Sequence, residues 1–542
     1  MITTSKSSIA SLAHILAVKG VVDVVVSPGS RNAPISIAMN REPGLRCTVI
    51  TDERCAGFVA LGMSQRSKRC TAVICTSGTA LLNLAPAAAE AYYQQLPLLI
   101  ISADRPSEWI DQNDSQTLRQ NGALANFVKA SYTLPEASYT DKTQLWHANR
   151  IINEATNKCV SGKKGPVHLN IPIDNPLYDL SEKDTKDRIV TYISPKNNTL
   201  PPLNGQKRVM ILAGFMQPDS VLNGIINEMA NQGIAVVAEH LSNIYGENII
   251  NNVEQTFSNI LKQDKPEKFC PDLLIVMGGA LVSKSAKMYF RKYAAKQTWQ
   301  LGKGEEIIDT FCHVTHCIDF DADMENETES VIKERTRTLL GLKGEDTSIQ
   351  FDRRWWNEWI KESESAYHND DNSSTAWNEK NIIDIIINNL TKKTDIHLSN
   401  GLSVRYGQNK KNEIGHHYYA NRGVSGIDGC TSTSVGSAMR NDGNAILITG
   451  DMCFVYDSNA ILTTPVPQNL TIFIINNNGG GIFRKLNGPS QTAEFERFFI
   501  AENNMAKISG ICENKTFRQV RNFEELKKEL TNKTSQIIEI LI

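Results

Sequence analysis

Short apolar runs that end in small or polar residues recur along the chain, and stretches with helical spacing fill the gaps. In the first third the runs are residues 21–26, 48–51, 71–75 and 97–102. Each is apolar nearly throughout rather than alternating, as a parallel strand covered on both faces reads. They stop at Ser27-Pro28-Gly29-Ser30-Arg31, Asp52-Glu53-Arg54, Thr76-Ser77-Gly78-Thr79 and Ala103-Asp104-Arg105-Pro106. A helix is predicted from about Ala33, and a second from the spacing of Ala56, Val59, Ala60 and Met63. An Ala-rich helix is predicted over 80–92. The rhythm returns at 209–213, 234–238 and 273–277, and again at 445–449 and 470–475. Strand, turn and helix repeated in this way predict doubly wound parallel α/β domains.

Two polar stretches divide the pattern. Residues 181–205 carry a charged run and then Pro201-Pro202, and residues 343–378 are polar around Trp355, Trp356 and Trp359. The first reads as a linker. The tryptophans of the second read as packing for a helix laid on a neighbouring domain. A chain of 542 residues exceeds one ordinary domain. The expected units are residues 1–185, 206–342 and 376–542. The middle unit has glycine turns at Gly214 and Gly278-Gly279 but no full dinucleotide fingerprint, so structural turns are expected there.

The last unit carries the most specific chemistry. Two apolar strands around a helical stretch end at Gly450-Asp451 and at Asn476-Asn477-Asn478-Gly479-Gly480. A right-handed parallel crossover brings both ends to one carboxyl edge, where open α/β sheets bind ligands. The Asp451 carboxylate, the Asn477 amide oxygen and the Gly479 carbonyl are hard oxygen donors, suited to Mg²⁺ beside a phosphate. The glycines let backbone approach a diphosphate closely.

Charge and composition narrow the classes. The net charge is −2, which gives no electrostatic reason to expect a nucleic-acid or membrane partner. No apolar run reaches spanning length, and a cytoplasmic enzyme is expected. The 11 cysteines lack Cys-x-x-Cys spacing and read as free thiols. Cys312, His313, His316 and Cys317 have metal-ligand side chains, but in a strand the two histidines point to opposite faces, so ordinary packing is expected.

Gly450-Asp451 followed by Asn476-Asn477 resembles the diphosphate and metal motif of thiamine diphosphate enzymes, with Met452 where that motif has glycine. Ser27 to Arg31, Asp52-Glu53-Arg54 with Ala56-Gly57, Cys75 to Ala80, Ala103 to Pro106 and Gly165 to Asn170 with Pro172 are similar to one family among them. That family is the 2-succinyl-5-enolpyruvyl-6-hydroxy-3-cyclohexene-1-carboxylate synthases of menaquinone biosynthesis. The resemblance covers the first and last units nearly end to end and is weak in the middle.

The resemblance implies a fold of three doubly wound α/β domains, bound thiamine diphosphate, and Mg²⁺ or Mn²⁺ held by Asp451, Asn477 and Gly479. It implies decarboxylation of 2-oxoglutarate and 1,4-addition of the resulting succinyl carbanion to isochorismate. Glu53 is the implied catalytic residue, promoting the imine form of the cofactor's aminopyrimidine by sharing a proton with the ring. Ile427 is the implied wedge under the bent cofactor, and Gly450 and Gly480 flank its diphosphate. Ser30, Arg31, Arg105, Gln116, Arg405 and Arg422 are the implied substrate contacts, with Ile482 and Phe483 as an apolar wall. Arginine suits such a cleft because its planar fork pairs with carboxylates. Lys284 lies roughly where the family has a basic substrate-facing residue. Gly401 replaces a family serine, whose hydroxyl Ser403 would have to supply.

In this superfamily the first domain of one chain faces the third domain of another, so a homodimer or a dimer of dimers is expected. Two other readings stay open. One is a different thiamine carboligase, such as a flavin-carrying acetohydroxyacid synthase. The other is a non-catalytic relative, against which the retention of Glu53 and Asp451 speaks.

Overall fold

The computed structural model of the chain describes residues 2–135, 142–182, 187–189, 206–302, 308–319, 351–370, 376–408, 411–486, 488–500, 508–513, 516–532 and 536–542. Most of the 181–205 linker, and residues 343–350 and 371–375 of the second connector, lie outside the described residues.

Three six-stranded sheets carry the fold, and every strand pair within them is parallel. The first runs in the order Arg46–Val49, Asp23–Val26, Thr71–Cys75, Leu98–Asp104, Val167–Pro172, Ser131–Thr133. The third runs His417–Tyr419, Thr394–Leu398, Asn444–Gly450, Leu470–Asn476, Ile537–Leu541, Phe517–Val520. These two share one topology. The middle sheet has the other doubly wound order: Ile249–Ile250, Ala235–Ala238, Val209–Ala213, Leu273–Met277, Gln297–Gly302, His316–Asp319. The expected α/β class with three doubly wound parallel sheets therefore holds. A short antiparallel pair, Ile2–Thr4 with Leu180–Glu182, ties the two ends of the first unit together.

The apolar runs became strands because both faces are covered: Asp23–Val26, Thr71–Cys75 and Leu98–Asp104 are buried along their whole lengths. One expected helix is corrected. Residues 80–92 form two helices, Thr79–Asn83 and Ala85–Gln94, broken at Leu84. Pro86 has no backbone N–H and fits only the first turn of a helix, so the chain restarts there.

The tryptophan stretch behaves as expected. Helix Arg353–Asp370 lays Trp355 and Trp359 into the core of the middle unit, and Trp359 Nε1 donates to the Phe269 carbonyl at 3.2 Å. His313 lies just before its strand rather than in it, with ring nitrogens at 2.7 Å from Thr298 Oγ1 and 2.9 Å from the Phe290 carbonyl. Both nitrogens are engaged by protein. Among the described residues no three His, Cys, Asp or Glu side chains gather as a metal cluster. No described helix is long and apolar enough to cross a membrane.

The first and third units meet across helices Glu53–Ser67 and Cys430–Ala438. A Cβ on Gly62 would lie 2.1 Å from the Thr433 carbonyl oxygen, and one on Gly436 the same distance from that of Val59. Only glycine at both positions lets the two backbones touch.

Candidate active site

At the carboxyl edge of the third sheet, Asn444–Gly450 and Leu470–Asn476 are hydrogen-bonded neighbours, so Asp451 and Asn477 begin adjacent turns. Asp451 is buried, and its Oδ2 accepts a hydrogen bond from the Gly479 N–H at 2.8 Å. Gly479 can turn that N–H inward because its φ is +125°, a conformation that favours glycine. Its carbonyl accepts from the Gly481 N–H at 2.9 Å. Burial, reinforced by the nearby Glu379 charge, pushes Asp451 up to about 6. Asn477 donates from Nδ2 to Glu379 Oε1 at 2.5 Å, while its Oδ1 is buried without a hydrogen-bond partner. An orphaned buried carbonyl oxygen costs about 1–3 kcal/mol. A buried carboxylate and an orphaned amide oxygen at one sheet edge are donors that a hard divalent cation would satisfy. These residues fit such an ion.

Beside this edge lies a group of cations. Arg422 donates from Nη1 to Asn400 Oδ1 at 2.9 Å, and its Nε is buried without a partner. Burial and Arg405 hold the Arg422 guanidinium below its ordinary value, with Glu239 and Glu90 opposing. Arg405 is exposed and donates from Nη1 to the Gly401 carbonyl. Lys287 enters this group from the middle unit. Its pKa is lowered by burial and by Arg422, Arg291 and Arg405, against the pull of Glu239. Lys284, the basic residue expected here from sequence, is exposed and is not among the charges acting on Arg422 or Lys287. Lys287, one helical turn further on, is the middle-unit lysine that lies among these charges. Gly401 has φ +107°, where glycine is favoured, and Ser403 is buried with its hydroxyl 3.5 Å from Ser399 Oγ. Ile427 is 39% exposed, although isoleucine is normally buried, so its side chain is available at this edge. Ile482 and Phe483 follow in the turn Gly481–Lys485, where Phe483 stands edge-on to Phe499 with ring centres 5.9 Å apart.

The first unit gathers its own set. Asp52 caps helix Glu53–Ser67, accepting from the Cys55 N–H at 3.0 Å, so Glu53 opens the first turn. The Glu53 charge, added to burial, raises the pKa of the Cys75 thiol, which puts Glu53 near the carboxyl end of Thr71–Cys75. Arg31 and Arg105 are close enough to depress the Arg31 pKa after burial itself, with Asp174 and Asp114 opposing. Arg105 pairs with Asp114 at 3.3 Å and donates to the Ser115 carbonyl at 3.2 Å. Ser30 and Gln116 are exposed. Gln116 has φ +54° and arches its backbone over Gly78. What pins that loop is Gln120, which the sequence reading missed. Its Oε1 accepts from the Gly78 N–H at 2.7 Å, and its Nε2 donates to Ala103 O at 3.0 Å and Asn170 Oδ1 at 2.9 Å. No local signal marks Gln120, which stands in the polar run 111–121; Asn170 is a polar residue inside the otherwise mostly apolar strand Val167–Pro172.

The two halves are tied together within one chain. Arg54 Nη2 donates to the Tyr456 carbonyl at 3.0 Å and its guanidinium lies over the Tyr456 ring. Asn459 Nδ2 donates to Asp52 Oδ2 at 2.7 Å. Glu90 of the first unit accepts from the Gly423 and Val424 N–H groups at 2.8 and 2.7 Å, fixing the loop that carries Arg422. These bonds connect the neighbours of Glu53 to residues 456–459, one helix beyond Asp451.

The middle sheet has a dinucleotide-type strand order, but its helix starts are filled by the protein's own carboxylates. Asp219 accepts from the Val221 and Leu222 N–H groups, both at 3.0 Å. Glu239 accepts from Val282 at 2.8 Å and Ser283 at 2.6 Å, and Glu254 from Ser285 at 3.0 Å. A phosphate needs those N–H groups and would meet negative charge instead. A structural role for these glycine turns, as expected from sequence, agrees with that arrangement.

The family described as "Thiamine pyrophosphate enzyme, N-terminal TPP binding domain" matches residues 9–123. Among curated proteins, a 2-succinyl-5-enolpyruvyl-6-hydroxy-3-cyclohexene-1-carboxylate synthase from Porphyromonas gingivalis is 35% identical, over 92% of this chain and 86% of its own length. The synthase of the same name from Flavobacterium psychrophilum is 34% identical over 98% of this chain and 95% of its own. That from Bacteroides thetaiotaomicron is 34% identical over 96% and 92%.

Proposed function

The chain belongs to the 2-succinyl-5-enolpyruvyl-6-hydroxy-3-cyclohexene-1-carboxylate synthases, the thiamine diphosphate enzymes that perform this step of menaquinone biosynthesis, and from that premise we propose how its residues carry the reaction. The units 1–185, 206–342 and 376–542 contribute acid, cation and cofactor anchor respectively. The reaction decarboxylates 2-oxoglutarate and joins the remaining succinyl carbons to isochorismate. When bound, thiamine diphosphate supplies the heterocycle that stabilises negative charge at the reacting carbon.

The protein's own part is to bind, orient and move protons. Asp451, Asn477 and the Gly479 carbonyl would hold Mg²⁺ or Mn²⁺, and Gly450 and Gly480 would leave room for the cofactor's diphosphate. Ile427 would pack against the bound cofactor. The Glu53 carboxyl would share a proton with the aminopyrimidine ring of the bound cofactor. Arg405, Arg422 and Lys287 on one side, and Arg31 and Arg105 on the other, receive the substrate carboxylates, with Ser30 and Gln116 as polar contacts. Ile482 and Phe483 exclude water from the reacting face.

The observation that carries this reading is the group of incompletely neutralised cations next to a buried carboxylate and an orphaned amide oxygen at one sheet edge. A surface ion-pair network needs no such oxygen. The flavin-carrying carboligase is the weaker alternative, because the helix starts of the middle sheet already hold Asp219, Glu239 and Glu254.

We further propose a homodimer or a dimer of dimers, located in the cytoplasm. Val49, Tyr456 and Leu462 are 53–61% exposed in the segments around the Asp52–Asn459 contact, and a second copy would cover them. The test is one assay of isochorismate consumption with 2-oxoglutarate, run with and without thiamine diphosphate and Mg²⁺. Consumption that requires all components is expected. Turnover of pyruvate in the absence of isochorismate would favour the alternative carboligase.

A further inference from the structure

We infer that Glu379 is a positioning residue for the cation: it locks the Asn477 amide so that the oxygen, not the nitrogen, is presented at the sheet edge. The inference rests on the cation site proposed above.

Glu379 is remote in sequence from every ligand and belongs to none of the strand-end motifs. It opens helix Glu379–Asn388, where an acidic residue would ordinarily be ascribed to the helix dipole. That helix is already capped, because the Asn378 side chain accepts from the Asn381 N–H at 3.0 Å. Glu379 instead reaches Asn477 Nδ2, at a separation of 2.5 Å.

The consequence follows from donor and acceptor chemistry. A primary amide has one accepting and one donating end, and an ionised carboxylate only accepts. With Glu379 on one side, the NH₂ must face it and Oδ1 must face away. Oδ1 is then buried with nothing to accept from, an unfavourable arrangement unless something else uses that oxygen. Arg484 fixes the same residue by its backbone, donating from Nη1 to the Asn477 carbonyl at 3.1 Å. Side chain and main chain of Asn477 are thus both clamped, with the unpartnered oxygen on the end of the amide opposite the one that Glu379 holds. Without Glu379 the amide has no reason to prefer this orientation, and a cation would have to turn it at its own expense. Outer partners of metal ligands act in this way generally, and removing one costs about 10–100-fold in metal affinity.

The test compares wild type, E379Q and E379D by Mn²⁺ titration at saturating thiamine diphosphate, with free Mn²⁺ read by EPR. Melting temperature with and without metal is measured alongside. Glutamine keeps the shape but offers either end of its own amide, so the bias on Asn477 is lost. For E379Q we expect a titration midpoint weakened by about 10–100-fold, an unchanged metal-free melting temperature, and activity that returns as metal is raised. E379D keeps the charge at shorter reach and should fall between the two. An E379Q midpoint equal to wild type overturns the inference, as does a lower metal-free melting temperature with an unchanged midpoint. Should E379Q fail to fold, a wild-type midpoint in E379D overturns it equally. Wild-type protein that binds no Mn²⁺ with the cofactor would overturn the cation site itself; a wild-type site that binds while E379Q matches it defeats only the role of Glu379.

Discussion

Asn459 reaches from the third domain to Asp52 of the first, Nδ2 to Oδ2 at 2.7 Å, and Asp52 is the residue that caps the helix opened by Glu53. The cap carboxylate therefore has two tasks. One oxygen accepts from the Cys55 N–H and starts the helix; the other receives a side chain from across the domain boundary. The direction in which Glu53 leaves the helix is fixed by a contact between domains as much as by its own backbone. A proton shared with a ring nitrogen demands that kind of constraint, because transfer fails outside hydrogen-bond reach.

Glu53→Gln tests the assigned chemistry. Glutamine keeps the length and can still bond to the ring, but it has no acidic proton to share. Cofactor affinity is expected to stay near wild type while turnover falls by about 10²–10⁴-fold, the usual weight of one general acid or base. Fluorescence titration of thiamine diphosphate, with steady-state rates at saturating substrates, separates the two quantities. Turnover near wild type would refute the role.

The contact between the first and third domains gives a sharper stability prediction. Gly62→Ala drives a methyl group to within 2.1 Å of the Thr433 carbonyl oxygen, which is backbone and cannot rotate away. A loss of about 1–3 kcal/mol or more is expected, as for other overpacked sites. Gly224, inside helix Ser220–Asn231, has open space where its Cβ would stand. Gly224→Ala should raise stability by roughly 0.4–1 kcal/mol through the unfolded chain. Urea midpoints of the two variants should move in opposite directions. A Gly62→Ala protein as stable as wild type would show that the helices need not touch.

What could be read before any coordinates was whatever depends on a strand and the turn after it. Asp23–Val26, Thr71–Cys75 and Leu470–Asn476 are buried nearly throughout, so their composition alone marks them, and the residues after them fall at one edge by the logic of parallel crossovers. What could not be read depends on packing between units. Lys284 and Lys287 differ by one turn of helix, and only the way the middle domain sits on the third decides which joins Arg405 and Arg422. Glu379 is 98 residues from Asn477 and looks like any first-turn acid. The break at Leu84 is a different case, since Pro86 announced it and the alanines around it masked the signal.

The lysine assignment can be tested directly. Lys287→Met removes the charge and keeps the stem, and Lys284→Met does the same on the exposed side. A charge-assisted hydrogen bond is worth about 1.5–3 kcal/mol. Lys287→Met should therefore lower kcat/KM by roughly 10–150-fold, chiefly by raising KM for one carboxylate substrate. Lys284→Met should stay within about 2-fold, as surface charges generally do. Equal effects of the two changes would return the middle domain to a spacer.

His168 provides a pH signature whose sign can be worked out. It is fully buried, its Nε2 lies 2.8 Å from Ser102 Oγ, its Nδ1 has no partner, and burial lowers its pKa to about 4. An exposed histidine in the unfolded chain titrates near 6.5. Between those values the unfolded state binds a proton that the folded state refuses, so stability falls as pH falls. The contribution is complete above about pH 6.5 and is lost progressively toward pH 4, at up to ~1.4 kcal/mol per pH unit. His168→Leu removes this proton while Ser102 can still donate to Asn170 Oδ1, at 2.7 Å. At pH 7.5 the variant should be less stable, by about 1 kcal/mol for the lost hydrogen bond. As pH is lowered the gap should close and then reverse, because only the wild type pays the protonation penalty. Urea midpoints at pH 7.5, 6 and 5 measure the difference, in which the other buried acids and histidines cancel. A gap independent of pH would mean that His168 is protonated as readily in the folded protein as in the unfolded chain.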